Sequence, residues 1–253
     1  MNKFEVNSNY GLQEKVVLNL IDSFDTSGKT FGDVDRNHIK VFDVNGKSIN
    51  IKSFKKPSII NKIAYRFLRK SKAQRSFEYA SRLLKLDIGT PTPIAYFENY
   101  DAIGLKESFY ISEHMDADLT YRELIKEPNY PDRENIIQQF TAFSFGLHEK
   151  GIEFKDHSPG NTLIVKTTDK VYHFYLVDLN RMNFHNHMPF DLRMKNLSRL
   201  TPKKEMVAKM SATYATLSKQ PYDKVFSRLW GYTEAFQKRF HKKRALKKKL
   251  KLE

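Results

Sequence analysis

Apolar and polar positions alternate at two places early in the chain. Ile39 and Val41 alternate with polar neighbours, which predicts a strand over Asn37 to Asp43. Ile49 and Ile51 alternate likewise within Ser48 to Phe54, with Lys52 on the opposite face. Between these strands stands Asn45-Gly46, a pair suited to a tight hairpin turn whose central residues need positive φ. Pro57 ends the second strand. The apolar spacing then becomes helical. Ile59 to Phe67 predicts one helix. Lys72 to Leu86 predicts another, with Ala73, Phe77, Ala80, Leu83 and Leu84 at helical spacing. Gly89, followed by Pro91 and Pro93, is expected to stop it. Ile94 to Tyr100 and Ser108 to His114 read as a strand pair, and Asn135 to Lys150 as an amphipathic helix ending before Gly151. Thr162 to Lys166 and Tyr172 to Asp178 read as strands. Lys203 to Leu217 and Tyr222 to Leu250 read as helices. Val16 to Phe24 fits either a strand or a short helix.

This order predicts an α+β chain in two lobes. A small N-terminal antiparallel sheet lobe with one main helix would occupy residues 1–115. A larger, mostly helical C-terminal lobe would occupy residues 116–253, with a hinge in the stretch from Glu113 to Thr120. A length of 253 residues suffices for a substantial core, and an apolar share of 40% with 19 Phe and 13 Tyr argues for a folded chain. There is no cysteine, which excludes disulfides, thiolate metal ligands and thiol nucleophiles. No apolar run is long enough for a transmembrane helix, and Met1 to Tyr10 lacks the apolar core of a signal peptide, so a cytoplasmic protein is expected.

The densest chemistry lies in Phe154-Lys155-Asp156-His157-Ser158-Pro159-Gly160-Asn161, followed after an apolar strand by Val177-Asp178-Leu179. An Asp, an Asn five positions later and a second Asp at a strand end recur in kinase-type phosphotransferases. The first Asp accepts or orients the proton of an attacking hydroxyl. The Asn and the second Asp hold magnesium against the phosphates of ATP. The two-lobed order of elements suits a protein-kinase-like fold. On it Lys52 is the candidate for the lysine that contacts the phosphates, with Lys55 and Lys56 as nearby competitors. Glu78, on the main helix, is its candidate partner. Gly28 and Gly32 are candidates for a loop covering the phosphates, although the full G-x-G-x-x-G is absent. Gly28-Lys29-Thr30 imitates the end of a Walker A motif, but Ser23 stands where its first glycine belongs. His185 and His187 lie together without zinc-protease spacing and read as surface residues.

Four segments together resemble the lipopolysaccharide kinases, the Kdo and core-heptose kinases of Gram-negative bacteria. They are Arg69 to Ala80, Gly89 to Ala95, the Asp156 loop, and Val177-Asp178-Leu179-Asn180-Arg181. The resemblance extends over about Asn37 to Asn183. It implies a protein-kinase-like fold that transfers phosphate from ATP to a sugar hydroxyl of the lipopolysaccharide inner core. By position it implies Asp156 as catalytic base, Asn161 and Asp178 as Mg²⁺ ligands, and Lys52 as the phosphate lysine with Glu78 beside it. Glu113, at the start of the expected hinge, is a further nucleotide-binding candidate. The chain departs from protein kinases at Phe154 and Lys155, where a His-Arg pair is usual, and at Leu179-Asn180, where Phe-Gly is usual. No Ala-Pro-Glu segment follows. A protein or small-molecule kinase, or a non-catalytic binding protein on the same scaffold, are the alternatives.

Net charge is +15. Such an excess favours polyanionic partners. Part of it lies in Lys62, Arg66, Arg69, Lys70, Lys72 and Arg75, and part in a Lys-rich tail from Lys238 to Lys251. The resemblance implies a lipopolysaccharide-core or lipid A precursor as partner, with the tail against the anionic inner membrane. Aromatic residues do not interleave with the cations as a base-stacking platform requires, so nucleic acid is not expected.

Overall fold

The computed structural model describes residues 2–32 and 37–250. Its contacts group into two units, Met1–Asp116 with Asp178–Arg181, and Ala117–Val177 with Met182–Glu253.

The first unit runs β1 (Asn2–Val6), a 3₁₀ turn (Ser8–Tyr10), α1 (Glu14–Asp22), β2 (Lys29–Thr30), β3 (Asn37–Val44), β4 (Lys47–Phe54), α2 (Ile59–Phe67), α3 (Lys72–Lys85), β5 (Pro93–Tyr100) and β6 (Leu105–Glu113). Its six strands form one antiparallel sheet in the order β1-β5-β6-β4-β3-β2. The β3–β4 register follows from the turn. Asn45 (φ 55) and Gly46 (φ 78) are both left-handed, so Val44 pairs with Lys47 and Phe42 with Ile49. That register buries Ile49 and Ile51 completely, against Val17 and Ile21 of α1 and Phe42, Ile94, Phe109 and Ile111 of the sheet. The segment that fitted strand or helix is therefore the helix α1. The other side of the sheet carries Phe54 and Tyr96, packed with Ala73 and Phe77 of α3. Ser71 caps α3 by accepting from the Gln74 N–H at 3.1 Å. At its other end Asp87, not Gly89, takes the left-handed position (φ 55), and the Ile88 N–H closes on the Leu83 carbonyl at 2.9 Å.

The second unit runs β7 (Leu119–Thr120), α4 (Tyr121–Lys126), α5 (Arg133–Glu149), β8 (Ile152–Phe154), β9 (Thr162–Thr168), β10 (Val171–Leu176), β11 (Met182–Phe184), α6 (Phe190–Leu197), α7 (Lys204–Ser218) and α8 (Tyr222–Lys249). A small antiparallel sheet has the order β10-β9-β7, and β8 pairs antiparallel with β11. The core gathers Tyr121, Phe140, Phe174, Met206, Met210, Tyr214 and Leu229. Phe140 is its centre: the Tyr121 ring lies 4.4 Å away and the Phe174 ring meets it edge-on at 5.6 Å. Burying a side chain of this kind stabilises by about 1.5–3 kcal/mol. Among the described residues no helix is long and apolar enough to cross a membrane.

Candidate active site

Strand parity positions Lys52. Ile49 and Ile51 take one face of β4, so Lys52 and Phe54 share the face under α3. The Lys52 side chain is 13% exposed, and its Nζ donates to Asp178 Oδ1 at 2.5 Å. Its ammonium lies 5.3 Å from the Phe54 ring centre. Asp178 follows β10 with φ 59, a left-handed conformation that aspartate tolerates better than most residues. Asn180 Nδ2 donates to the same Oδ1 at 2.8 Å. The competitors Lys55 and Lys56 are exposed and line a neighbouring cavity instead.

Glu78 does not meet Lys52. Its carboxylate accepts from Lys70 Nζ at 2.7 and 2.8 Å and from Gln74 Nε2 at 3.0 Å. The residue sits on α3 as expected, but Lys70, just ahead of the helix, takes its charge. In this structure Asp178 fills the place expected of Glu78.

The other nucleotide candidates are structural in part. Gly28 (φ 81) precedes β2, and a Cβ there would stand 2.6 Å from the Phe42 ring, so packing alone demands glycine. Gly32 (φ 74) opens the turn from β2 to β3, whose residues 33–36 lie outside the described residues. Beside it, Phe31 meets the His114 ring edge-on at 5.0 Å. The Glu113 N–H is taken by the Thr92 carbonyl at 2.9 Å. Burial, and then the Glu113 carboxylate, push the Tyr10 hydroxyl up to about 12.

A cavity of about 570 Å³ lies next to Asn180 and Arg181. Lys55, Lys56, Arg69, Lys72, Arg75 and Arg181 line it, and among the described residues no carboxylate does. Burial pushes the Lys72 ammonium below its usual range. Asp178 pulls it back, while Lys52, Arg75 and Arg69 add to the depression. The cavity is thus short of negative charge.

In the second unit Asp156 stands in the loop after β8, with its side chain 18% exposed. Arg199 reaches it from beyond α6, donating Nη1 to the Lys155 carbonyl at 2.6 Å and to Asp156 Oδ1 at 3.3 Å. Asn161 donates Nδ2 to the Asp156 carbonyl at 2.8 Å, and its own carbonyl accepts from the Val177 N–H at 3.0 Å. The five-residue interval therefore closes a turn that fixes the Asn161 side chain, while Arg199 holds that of Asp156. Below it lies a buried polar network. Asn196 donates to the Phe154 carbonyl at 2.8 Å, and its Oδ1 lies 3.2 Å from His148 Nε2. His148 Nδ1 lies 2.9 Å from the Tyr214 hydroxyl. Burial pushes His148 down to about 3 and His157 down to about 4. The His157 ring lies tilted against Phe140 and Phe154, with neither ring nitrogen at bonding geometry to a partner; the neighbouring Asn196 opposes its shift only in part.

Arg199, Lys72 and this network were not evident from the sequence. Arg199 lies 43 positions from Asp156, and nothing local marks it. His185 is a latch, with Nε2 2.9 Å from the Glu153 carboxylate across the β8–β11 pair.

Carboxylate, amide oxygen and lysine are thus assembled in two places, a set suited to binding phosphates and a hard cation and to accepting a hydroxyl proton. A solved structure, "WaaP in complex with acyl carrier protein", matches over 95% of this chain and 98% of that one, with a TM-score of 0.64 and 14% identity. At that identity the likeness shows the protein-kinase-like fold. No curated protein matches the sequence. The sequence model described as "Lipopolysaccharide kinase (Kdo/WaaP) family" matches residues 19–224, and the chain belongs to that family.

Proposed function

We propose that the protein is an ATP-dependent kinase that phosphorylates a sugar hydroxyl, of Kdo or heptose, in the lipopolysaccharide inner core. The observation that carries this reading is the partly buried Lys52–Asp178 pair at 2.5 Å, in a chain of this family. A lysine and a carboxylate held this close bring together a phosphate contact and a metal ligand before either binds. On nucleotide binding Lys52 would turn its ammonium from Asp178 to the α- and β-phosphates. The turn carrying Gly32 would cover them, and the hinge at Glu113 would contact the base.

The donor chemistry of Asn161 and of Asp178, each taken by itself, suits a magnesium ion. Asn161 spends its Nδ2 on the Asp156 carbonyl, which leaves Oδ1 as an oxygen donor, and Asp178 offers a carboxylate. Magnesium, when bound, would neutralise charge on the phosphate oxygens. Asp156, oriented by Arg199, would take the proton of the attacking sugar hydroxyl. The cationic cavity beside Arg181 would receive phosphate or carboxylate groups of a polyanionic acceptor. With the Lys-rich end of α8, such an acceptor would place the protein at the cytoplasmic face of the inner membrane.

The test is phosphate transfer from ATP to Kdo-lipid A or heptosylated core, with Asp156→Ala and Asp178→Ala run beside the wild type. Transfer by the wild type and a loss of roughly 10³-fold in both variants is expected. A wild type that turns over neither acceptor while transferring phosphate from ATP onto peptides or small alcohols would move the reading to another kinase. Activity retained in Asp156→Ala would remove that residue from the chemistry.

A further inference from the structure

The helix α2 is turned inside out. Its polar residues face the protein and its large apolar residues face solvent. Lys62 Nζ donates to Asp101 Oδ2 at 2.7 Å, and Arg66 Nη1 donates to the carbonyls of Asp101 and Ala102 at 3.1 and 2.7 Å. Lys62, then the Gly104 and Ile103 N–H groups, hold the Asp101 carboxyl down at about 2. Gly104 lets the β5–β6 turn touch the α2 backbone, because a Cβ there would collide with the Lys62 carbonyl. The helix is therefore pinned by its polar side.

On its other side stand Ile59, Ile60, Ile63, Phe67 and Leu68. Their steps of one, three and four residues keep them on one broad face. Ile60 is 81% exposed, Phe67 71% and Leu68 82%. No residue of α2 is buried. Exposed cations flank this face: Lys55 and Lys56 ahead of the helix and Arg69 after it, which also line the cationic cavity, together with Arg66 and Lys70, which are exposed while bonded to the Asp101 and Ala102 carbonyls and to Glu78. Elsewhere the first unit keeps most of its large apolar residues inside two cores, so this face is an exception that packing does not explain.

We infer that α2 is the element by which this protein lies on an anionic lipid bilayer, its apolar face among the acyl chains and its basic rim against the headgroups. An apolar arc with a cationic border is the pattern of an interfacial helix. The Lys-rich end of α8 differs. Phe240, Leu246 and Leu250 are exposed there, but Lys243 and Lys247 stand between Phe240 and the two leucines around the helix, so they form no continuous apolar face. The tail supplies attraction and α2 supplies insertion. This inference deepens the lipid-acceptor reading of the function, yet its test needs neither nucleotide nor acceptor.

The full chain is mixed with vesicles of phosphatidylglycerol and phosphatidylethanolamine, and the bound fraction is read by flotation. Ile60→Ser/Phe67→Ser/Leu68→Ser is expected to weaken partitioning by about ten-fold or more. These side chains are exposed, so the thermal midpoint should hold. Independently, Phe67→Trp in a Trp230→Phe background should shift its emission to the blue on adding vesicles. No partitioning by the wild type, equal partitioning by the triple variant, or an unshifted emission from the Phe67→Trp variant would each overturn the inference and hand the face to a protein partner. A failed phosphate-transfer assay would leave these results standing, and a failed flotation would leave the kinase reading standing for a water-soluble acceptor.

Discussion

The two buried histidines under the Asp156 loop make the fold of the second unit sensitive to mild acid. His148 and His157 are held neutral, at about 3 and about 4. In the unfolded chain each would titrate near 6.5. The unfolded state therefore binds more protons below about pH 6.5, and stability is full above that value and lost as pH falls towards the folded values. At pH 5 each histidine lies about 1.5 units below its unfolded value, which costs roughly 2 kcal/mol per group and roughly 4 for the pair. That is a large share of the 5–15 kcal/mol or so that holds a typical domain. His157→Leu isolates one half of the effect. Leucine is close in size, and no hydrogen bond at good geometry is lost, so the variant should be near neutral at pH 7. Urea unfolding followed by circular dichroism at pH 7 and pH 5 gives the difference directly. Wild type should lose roughly 4 kcal/mol between the two, and His157→Leu roughly 2. The Asp101 and Asp191 carboxylates, both lowered, titrate below this window. An identical pH dependence in the two proteins would refute the reasoning.

Two further substitutions separate packing from chemistry. Gly28→Ala forces a methyl against the Phe42 ring at positive φ and should cost about 1–2 kcal/mol in thermal stability without a change in acceptor preference; an unchanged midpoint would contradict it. Arg199→Met removes the donor that ties Asp156 to the Lys155 carbonyl, and should lower kcat by roughly 10²-fold while leaving KM for ATP alone.

Particular elements show why some of this was legible in the sequence. The face on which Lys52 lies is legible because a strand has only two faces and Ile49 and Ile51 claim one of them; a slip of one residue would invert both. The Asp156–Asn161 interval could be read because it is a local turn, closed by a hydrogen bond between its own ends. The expected Lys52–Glu78 pair does not form because Lys70 takes the Glu78 carboxylate, a reach that no periodicity reveals, and Asp178 meets Lys52 instead. The strand β1 was not expected. Its residues are mostly exposed, and it is held by backbone pairing with β5, 97 positions away at Asn2 and Asn99. The two- and three-residue strands β7, β8 and β11 are too short to carry a pattern. The outward face of α2 reads in sequence as an ordinary amphipathic helix, because hydropathy cannot tell which side meets the protein.

The first unit is not one continuous stretch of chain, since residues 178–181 belong to it by contact. Lys52 and Asp178 are 126 positions apart. During synthesis at about 5–20 residues per second, Lys52 is made roughly 6–25 seconds before its carboxylate partner exists. In that interval the ammonium, 13% exposed in the finished protein, has no Asp178 to neutralise it. Completion of the Lys52–Asp178 pair is thus timed by translation of the second unit, and a fragment ending at Asp116 would lack the carboxylate altogether.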